Sequence, residues 1–430
     1  MNKLKKVFEK DGFYKDLVIT FGGQMIVMLL SFVLNKIISN QYSVDDYGIY
    51  SILKRFSSVI TFVMLMAMGI AIPKYVAEAD AKKNHELMED YMISAIAVIC
   101  VMFVMITMIL YGFRKIGSKL IFNNDLYKNY MLIICLYSFG NCLVTYVYSF
   151  YRGINHFVKY SIINIILQLL YIVPTFFVHG NLYNLYFVWG VFCIIYSIIE
   201  LCIIFKQYKF CLSQIRRKLV VLKELLIYSA PRVPGEFILF AYTLVPLTII
   251  TYKFGTKQVG YFSAALSINT LITPLFSLVG TILLPLVSGS KFNNTEKEVN
   301  KKIRILAYIY TVVSIFAIIF VYLFGEILLV ILFNREYVKS IALVRIMIVS
   351  IIPNAYYLLL RNPLDGKSKF PYNTVCLLIS FIVYIVLLLF ASNIKMCAVD
   401  TIVAYTVLGI FTFISWCKVS KKENKIEDYI

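Results

Sequence analysis

The chain has 430 residues, of which 60% are hydrophobic and 15% charged, and its formal net charge is +19. A soluble domain is about half apolar and a quarter charged, so this composition excludes an ordinary soluble enzyme. The apolar excess recurs along the whole length, which makes the lipid bilayer the solvent to reason with.

The first sixteen residues, "MNKLKKVFEKDGFYKD", are basic, and no small-residue cleavage site follows the first apolar run. That run reads as a retained helix rather than a signal peptide. Crossing a hydrocarbon core of about 30 Å takes about 20 apolar residues. Such runs fall near 17–39, 48–72, 91–113, 130–151, 159–179 and 184–205, and again near 225–252, 260–288, 303–324, 340–362, 372–391 and 397–417. Lipid does not tolerate unpaired backbone, so these are twelve helices. The expected layout is a basic tail 1–16, an N-lobe 17–205, a loop 206–223, a C-lobe 224–417 and a tail 418–430. With the N-terminus inside, the Lys and Arg between spans fall about three to one on the inner side, placing both termini in the cytoplasm. Most of the net charge is then an orientation signal, and no nucleic-acid partner is expected. Nine cysteines lie mostly in apolar runs, with no C-x-x-C and no histidine cluster; they read as small hydrophobes, not as a metal site or a disulfide framework.

Along the chain, the first cations that matter follow the stretch "VDDYGIYSILKRF". Asp45 and Asp46 cap the second helix, where acids are favoured. Lys54 and Arg55 then sit about two turns inside it. An uncompensated cation near a helix centre costs about 2.5–3.5 kcal/mol, and adjacent residues point about 100° apart, so one of the two is expected to face protein or water. Arg55 is the preferred one, because its planar fork can hold two phosphate oxygens. Lys36 lies near the outer end of the first helix, where it can snorkel to the interface.

In the seventh span, "SAPRVPGEFILF" carries Pro231, Pro234 and Gly235, which break or kink the helix and form the expected hinge. Arg232 and Glu236 are spaced i,i+4. They either neutralise each other or serve a substrate and a coupling ion, with Glu236 the coupling candidate. The eighth span has a polar side with Ser263, Ser267, Asn269 and Thr270. Arg345, near the outer end of the tenth span, reads first as a snorkelling residue like Lys36; it is a reserve cavity cation, since that helix carries no acid. "DGKS" at 365–368 fails as a phosphate-binding loop: Arg361 stands where the first glycine belongs and no strand precedes it. No cofactor is expected, and the motor must be a gradient.

The opening stretch is written twice. "DYGIYS" at 46–51 is answered by "QVGYFS" at 258–263, and the same offset of about 212 residues carries Gly23 to Gly235 and Pro73 to Pro285. "YRGINHFVKY" loosely parallels "PLDGKSKFPY". The chain reads as two homologous six-helix halves, entering the membrane from the same side, as in parallel-repeat transporters.

The first-helix pattern, the loop closing on "YGIYS", the helix ending "MGIAIPKYVAE" and "YRGINHFVKYSIIN" together resemble a Wzx-type polysaccharide flippase. That family shares a superfamily with multidrug and toxin extruders and lipid II flippases. The resemblance spans essentially all twelve helices. It implies two lobes around a central cationic cavity, and transfer of a polyprenyl-pyrophosphate-linked oligosaccharide from the inner to the outer leaflet of the cell inner membrane by alternating access. A polysaccharide polymerase and chain-length machinery are the partners it suggests, besides membrane lipid. Two alternatives stand beside it. A cation-coupled drug or metabolite exporter would want acids in the cavity. A membrane glycosyltransferase or polymerase would want a large outer loop, yet the longest, about 114–129, holds only Asp125 as an acid.

Overall fold

A computed structural model describes residues 11–208, 215–230, 233–271, 296–368 and 370–427, with a few positions between 273 and 287. The regular elements among them are all helical. The first half runs α1 (Asp11–Gln41), α2 (Val44–Leu65), α3 (Met68–Ala81), α4 (His85–Gly112), α5 (Arg114–Phe122), α6 (Tyr130–Gly153), α7 (Phe157–Thr175), α8 (Leu182–Tyr208) and α9 (Ile215–Ser229). The second half runs α10 (Val233–Phe254), α11 (Thr256–Asn269), α12 (Glu296–Leu332), α13 (Ile341–Met347), α14 (Ile351–Lys367), α15 (Tyr372–Phe390) and α16 (Ile394–Glu427). Eleven described stretches are long and apolar enough to cross a membrane. The eighth predicted span, 260–288, is described as continuous helix only as far as Asn269, which accounts for the difference from twelve.

Burial separates inner helices from lipid-facing ones. The apolar windows of α2, of Asp125–Gly153 and of Arg335–Asp365 are 67%, 61% and 61% buried, against 17–44% for the other spans. The last two stretches are related by the internal repeat, so each half has placed the same helix at its centre. These central helices can afford polar side chains because neighbouring helices, not lipid, surround them.

The helices pack as two units. One comprises Met1–Ser43 and Ile52–Phe240, the other Val44–Ser51 and Ala241–Ile430. The six-plus-six division read from the repeat is therefore crossed by packing: the first turns of α2 belong to the second unit, and the start of α10 to the first.

The repeated "YGIYS" and "VGYFS" have a packing reason inside the second unit. A Cβ on Gly48 would lie 2.1 Å from the Thr256 carbonyl oxygen, and one on Gly260 would lie 2.3 Å from that of Val44. The two repeat-related glycines are thus where α2 and α11 touch backbone to backbone, the small-residue contact that lets helices approach closely in lipid. Asp45, read as a helix cap, does more than that: its Oδ1 accepts a hydrogen bond of 2.8 Å from the Thr256 hydroxyl. Tyr47, buried at the same crossing, packs edge-on against Phe333 and Tyr337, with centroids 5.6 and 5.3 Å away.

The predicted second span, 48–72, is not one helix. It breaks at Met66 and Ala67, whose φ angles are +48° and +56°, before α3 resumes. Left-handed backbone at a non-glycine residue costs about 1–2 kcal/mol, and no glycine, proline or asparagine announces it. Of the stretch expected to break, Pro231 and Arg232 lie outside the described residues; α9 ends at Ser229 and α10 begins at Val233. Pro234, Gly235 and Glu236 fall in the first turn of α10, where proline is tolerated because its missing N–H has no helical partner anyway.

Candidate functional site

Within the first unit, α6 is laid against α2 and α3 by a run of side-chain-to-backbone hydrogen bonds. Ser138 Oγ donates to the Ser57 carbonyl at 3.2 Å, Cys142 Sγ to that of Thr61 at 3.2 Å, and Ser149 Oγ to that of Gly69 at 3.4 Å. On another face of α6, the Tyr146 hydroxyl donates to Met92 of α4 at 2.7 Å. Buried hydroxyls must find partners in a membrane core, and these bonds fix the register of α6 against α2.

That register leaves two polar stripes facing one cavity of about 430 Å³. From α2 come Lys54, Ser58, Thr61 and Leu65; from α6 come Asn141, Thr145, Tyr148 and Arg152. Each set steps by four, three and four residues, which is one face of a helix. Tyr137, Tyr160 and Phe240 add aromatic walls. The Tyr171 hydroxyl donates to Asn141 Oδ1, while Asn141 Nδ2 donates to the Tyr137 carbonyl at 3.0 Å, so the amide is held in one orientation.

Arg152 is positioned by a proline. In a continuous helix the Gly69 carbonyl would accept from residue 73, but that residue is Pro73 and has no N–H. The orphaned oxygen lies 3.5 Å from Arg152 Nη2, at the outer limit of a hydrogen bond, as well as accepting from Ser149. At the other end of the cavity stands Lys54. With α6 in register with α2 at an offset of about 81 residues, Lys54 is level with Cys135, so the two cations are roughly 25 Å apart along the axis at 1.5 Å per residue. The described lining residues include these two cations and no carboxylate.

The sequence candidates fare unequally. Lys54 lines the cavity, whereas the preferred Arg55 is half-buried and not among the lining residues; one step along α2 turns it about 100° off the polar stripe. Arg345, taken as lacking an acid, is answered by Glu326 of α12, with Nη2 and Oε1 3.8 Å apart, and it also donates to the Tyr322 carbonyl at 3.4 Å. The acid was sought on the same helix, but it comes from the neighbouring one. Arg232 and Pro231 lie outside the described residues, and for Pro234, Gly235 and Glu236 only the backbone is described. Arg152 was missed because it was counted as a loop cation. The spacing Asn141, Thr145, Tyr148, Arg152 was the signal that could have found it. Lys159 nearby is not a free charge: its Nζ donates to the Tyr151 hydroxyl at 2.6 Å and pairs with Glu200 at 3.6 Å. Among the described residues no group of three or more His, Cys, Asp or Glu side chains could hold a metal ion.

The fold is similar to that of a multidrug resistance MATE family transporter of the MOP superfamily in its inward-facing conformation, with a TM-score of 0.76 at 11% identity over 95% of this chain and 99% of that one. An outward-facing conformation of such a transporter matches with a TM-score of 0.66 at 12% identity, covering 95% and 96%. A MOP superfamily transporter from Pyrococcus furiosus, described by the reverse polarity of its binding pocket, matches at 0.67 and 11% identity, covering 95% of both chains. At such identities the likeness shows the fold alone. No curated protein matches the chain. The MatE family model covers residues 234–390, and the model described as polysaccharide biosynthesis protein covers 13–291, well over half of the sequence. The chain belongs to the polysaccharide biosynthesis protein family, and its fold is like that of the MOP superfamily transporters.

Proposed function

We propose that the protein flips a polyprenyl-pyrophosphate-linked oligosaccharide from the inner to the outer leaflet of the cell inner membrane by alternating access, supplying repeat units for a surface polysaccharide. The observation that carries this reading is the cavity of the first unit: two cations at opposite ends, hydroxyl and amide groups between them, aromatic walls, and no carboxylate among the described lining residues. A pyrophosphate leaving the headgroup layer needs counter-charge, because an isolated charge in an apolar medium is prohibitive. Arg152, at the end the charge bias places in the cytoplasm, receives the phosphates, and Lys54 offers the next partner nearer the outer face. Tyrosine rings and the Asn141 amide suit sugar hydroxyls and apolar sugar faces, while the polyprenyl tail stays in lipid. Arg232 is a third phosphate contact and Glu236 the coupling acid, both on sequence grounds. Pro231, Pro234 and Gly235 form the hinge together with the break at Met66–Ala67.

An exporter of cationic drugs on the same scaffold would need acids where this cavity presents Lys54 and Arg152. Complementation of a strain lacking its own lipid-linked-oligosaccharide flippase tests the proposal. The wild-type chain restores surface polysaccharide; Arg152→Ala and Lys54→Ala, inserted at normal levels, do not. Restoration by the Lys54→Ala, Arg152→Ala double variant would overturn the cationic path, and resistance to cationic drugs without restored polysaccharide would favour the exporter.

A further inference from the structure

A groove on the second unit, which shares no lining residue with the cavity just described, combines an apolar channel with a cationic mouth. Its first part, about 330 Å³, lies among α12, α14 and α16 and is lined at one end by Asn300, Arg304, Trp416 and Ser420. Its second part, about 480 Å³, runs between α14 and α16 past Ile352 and Ile410. Tyr356 and Phe413 line both, so the two parts are continuous. The floor is fixed by close contact of the helices, since a Cβ on Gly409 would come within 2.8 Å of the Pro353 carbonyl oxygen. Tyr356 is held by a 2.9 Å bond to the Thr311 hydroxyl.

The mouth has polar capacity that the described protein does not use. Arg304 is exposed and makes no ion pair or hydrogen bond among the described residues. Asn300 Oδ1 and Ser420 Oγ are buried side-chain atoms without a hydrogen-bond partner among the described residues. Lys367 Nζ stands 5.3 Å from the centroid of the Trp416 ring, and Lys301, Lys302 and Lys418 are exposed on the same helix ends. Tryptophan marks the membrane interface, and basic pockets between transmembrane helices on the cytoplasmic side bind anionic headgroups. An apolar channel leading away from such a mouth fits a hydrocarbon chain attached to a phosphate.

We propose that this groove binds one anionic glycerophospholipid of the inner leaflet, its phosphate held by Arg304 with the Ser420 hydroxyl donating, and one acyl chain lying past Tyr356 and Phe413 along α14 and α16. The site is separate from the cargo cavity and takes a resident lipid rather than a transported one. Its chemistry is set by the cation at the mouth: a zwitterionic lipid brings its own ammonium group to Arg304, an anionic one does not.

Trp416 reports on the groove directly, because the chain has two tryptophans and Trp416→Phe isolates its share of the fluorescence. The purified full-length protein is placed in vesicles containing brominated phosphatidylglycerol or brominated phosphatidylcholine, and quenching of Trp416 is followed against mole fraction. Half-quenching is expected at about fivefold lower mole fraction of the anionic lipid, the order of effect one basic residue gives at a membrane surface. Arg304→Gln should bring the two curves together, and native mass spectrometry of that variant should show the loss of one retained phosphatidylglycerol. Coincident curves for the wild type, or curves that Arg304→Gln leaves apart, would overturn the proposal. Relief of quenching by polyprenyl phosphate at lower mole fraction than by unbrominated phosphatidylglycerol would also overturn it, assigning the groove to the carrier lipid. Cargo flipping with a coincident pair of quenching curves would remove this site without touching the transport reading.

Discussion

Replacing Gly48 by alanine sets two magnitudes against each other. Alanine in a helix is favoured over glycine by up to about 1 kcal/mol. The new methyl group, however, falls 2.1 Å from the Thr256 carbonyl oxygen, about 1.2 Å inside the closest carbon–oxygen approach of about 3.3 Å. A backbone oxygen cannot rotate away, so α2 and α11 must part by about an ångström, breaking the contact that also seats Tyr47 and the Asp45–Thr256 bond. Overpacking of this kind costs about 1–3 kcal/mol, and the absence of a side-chain escape puts it at the upper end. The net effect expected is a loss of about 1–2 kcal/mol. Gly260→Ala meets the Val44 carbonyl at 2.3 Å and should behave alike. Because one separation relieves both clashes, the double variant should cost less than the sum of the two singles, a coupling that neighbouring sites show. Thermal unfolding in detergent, read by a thiol-reactive dye on buried cysteines such as Cys142, Cys376 and Cys397, gives all four corners of the cycle. A stabilised single variant would mean that helix propensity wins and that the glycines are not at a tight crossing; strict additivity would mean that they do not share one.

Other outcomes follow from local geometry. Ala67→Gly should be neutral or stabilising by up to about 1 kcal/mol, since φ is +56° there, whereas Ala71→Gly in the regular part of α3 should cost about 1 kcal/mol; the same dye assay distinguishes them. Tyr171→Phe removes the donor to Asn141 Oδ1, a part-buried bond whose loss should cost about 0.5–1.5 kcal/mol, with weaker cargo binding at unchanged expression. Glu326→Gln and Arg345→Ala should each change stability by less than about 1 kcal/mol, because the pair is about half exposed and exposed pairs contribute little; surface polysaccharide should be unaffected by either.

Much of the architecture was legible because lipid imposes simple rules. Apolar runs of the right length must be helices, and the echo of "YGIYS" in "VGYFS" marked two halves whose glycines turn out to touch. The break at Met66–Ala67 was not legible, since left-handed backbone there is imposed by packing and carried by residues that do not prefer it. Lys54 and Arg55 could not be separated from sequence: adjacent positions face different ways, and only the hydrogen bonds of Ser138, Cys142 and Ser149 show which stripe of α2 meets α6. Arg152 was hidden by the charge bias that made the topology readable, because a cation near a helix end serves equally well as an orientation signal or a ligand. Its placement at the cavity emerges once Pro73 is seen to leave the Gly69 carbonyl without a helical partner.

The central claim is that Lys54 and Arg152 carry an anionic, lipid-linked sugar through the cavity of the first unit. Reconstituting the protein in vesicles with a fluorescent polyprenyl-pyrophosphate oligosaccharide, and measuring the fraction of inner-leaflet label that becomes accessible to a membrane-impermeant quencher, tests it most directly. Wild-type protein should expose the inner-leaflet label at a rate that falls at least tenfold in Lys54→Gln and in Arg152→Gln, while Arg152→Lys, keeping the charge without the fork, retains part of it. Equal rates in wild type and the Lys54→Gln, Arg152→Gln double variant, both properly inserted, would contradict the account.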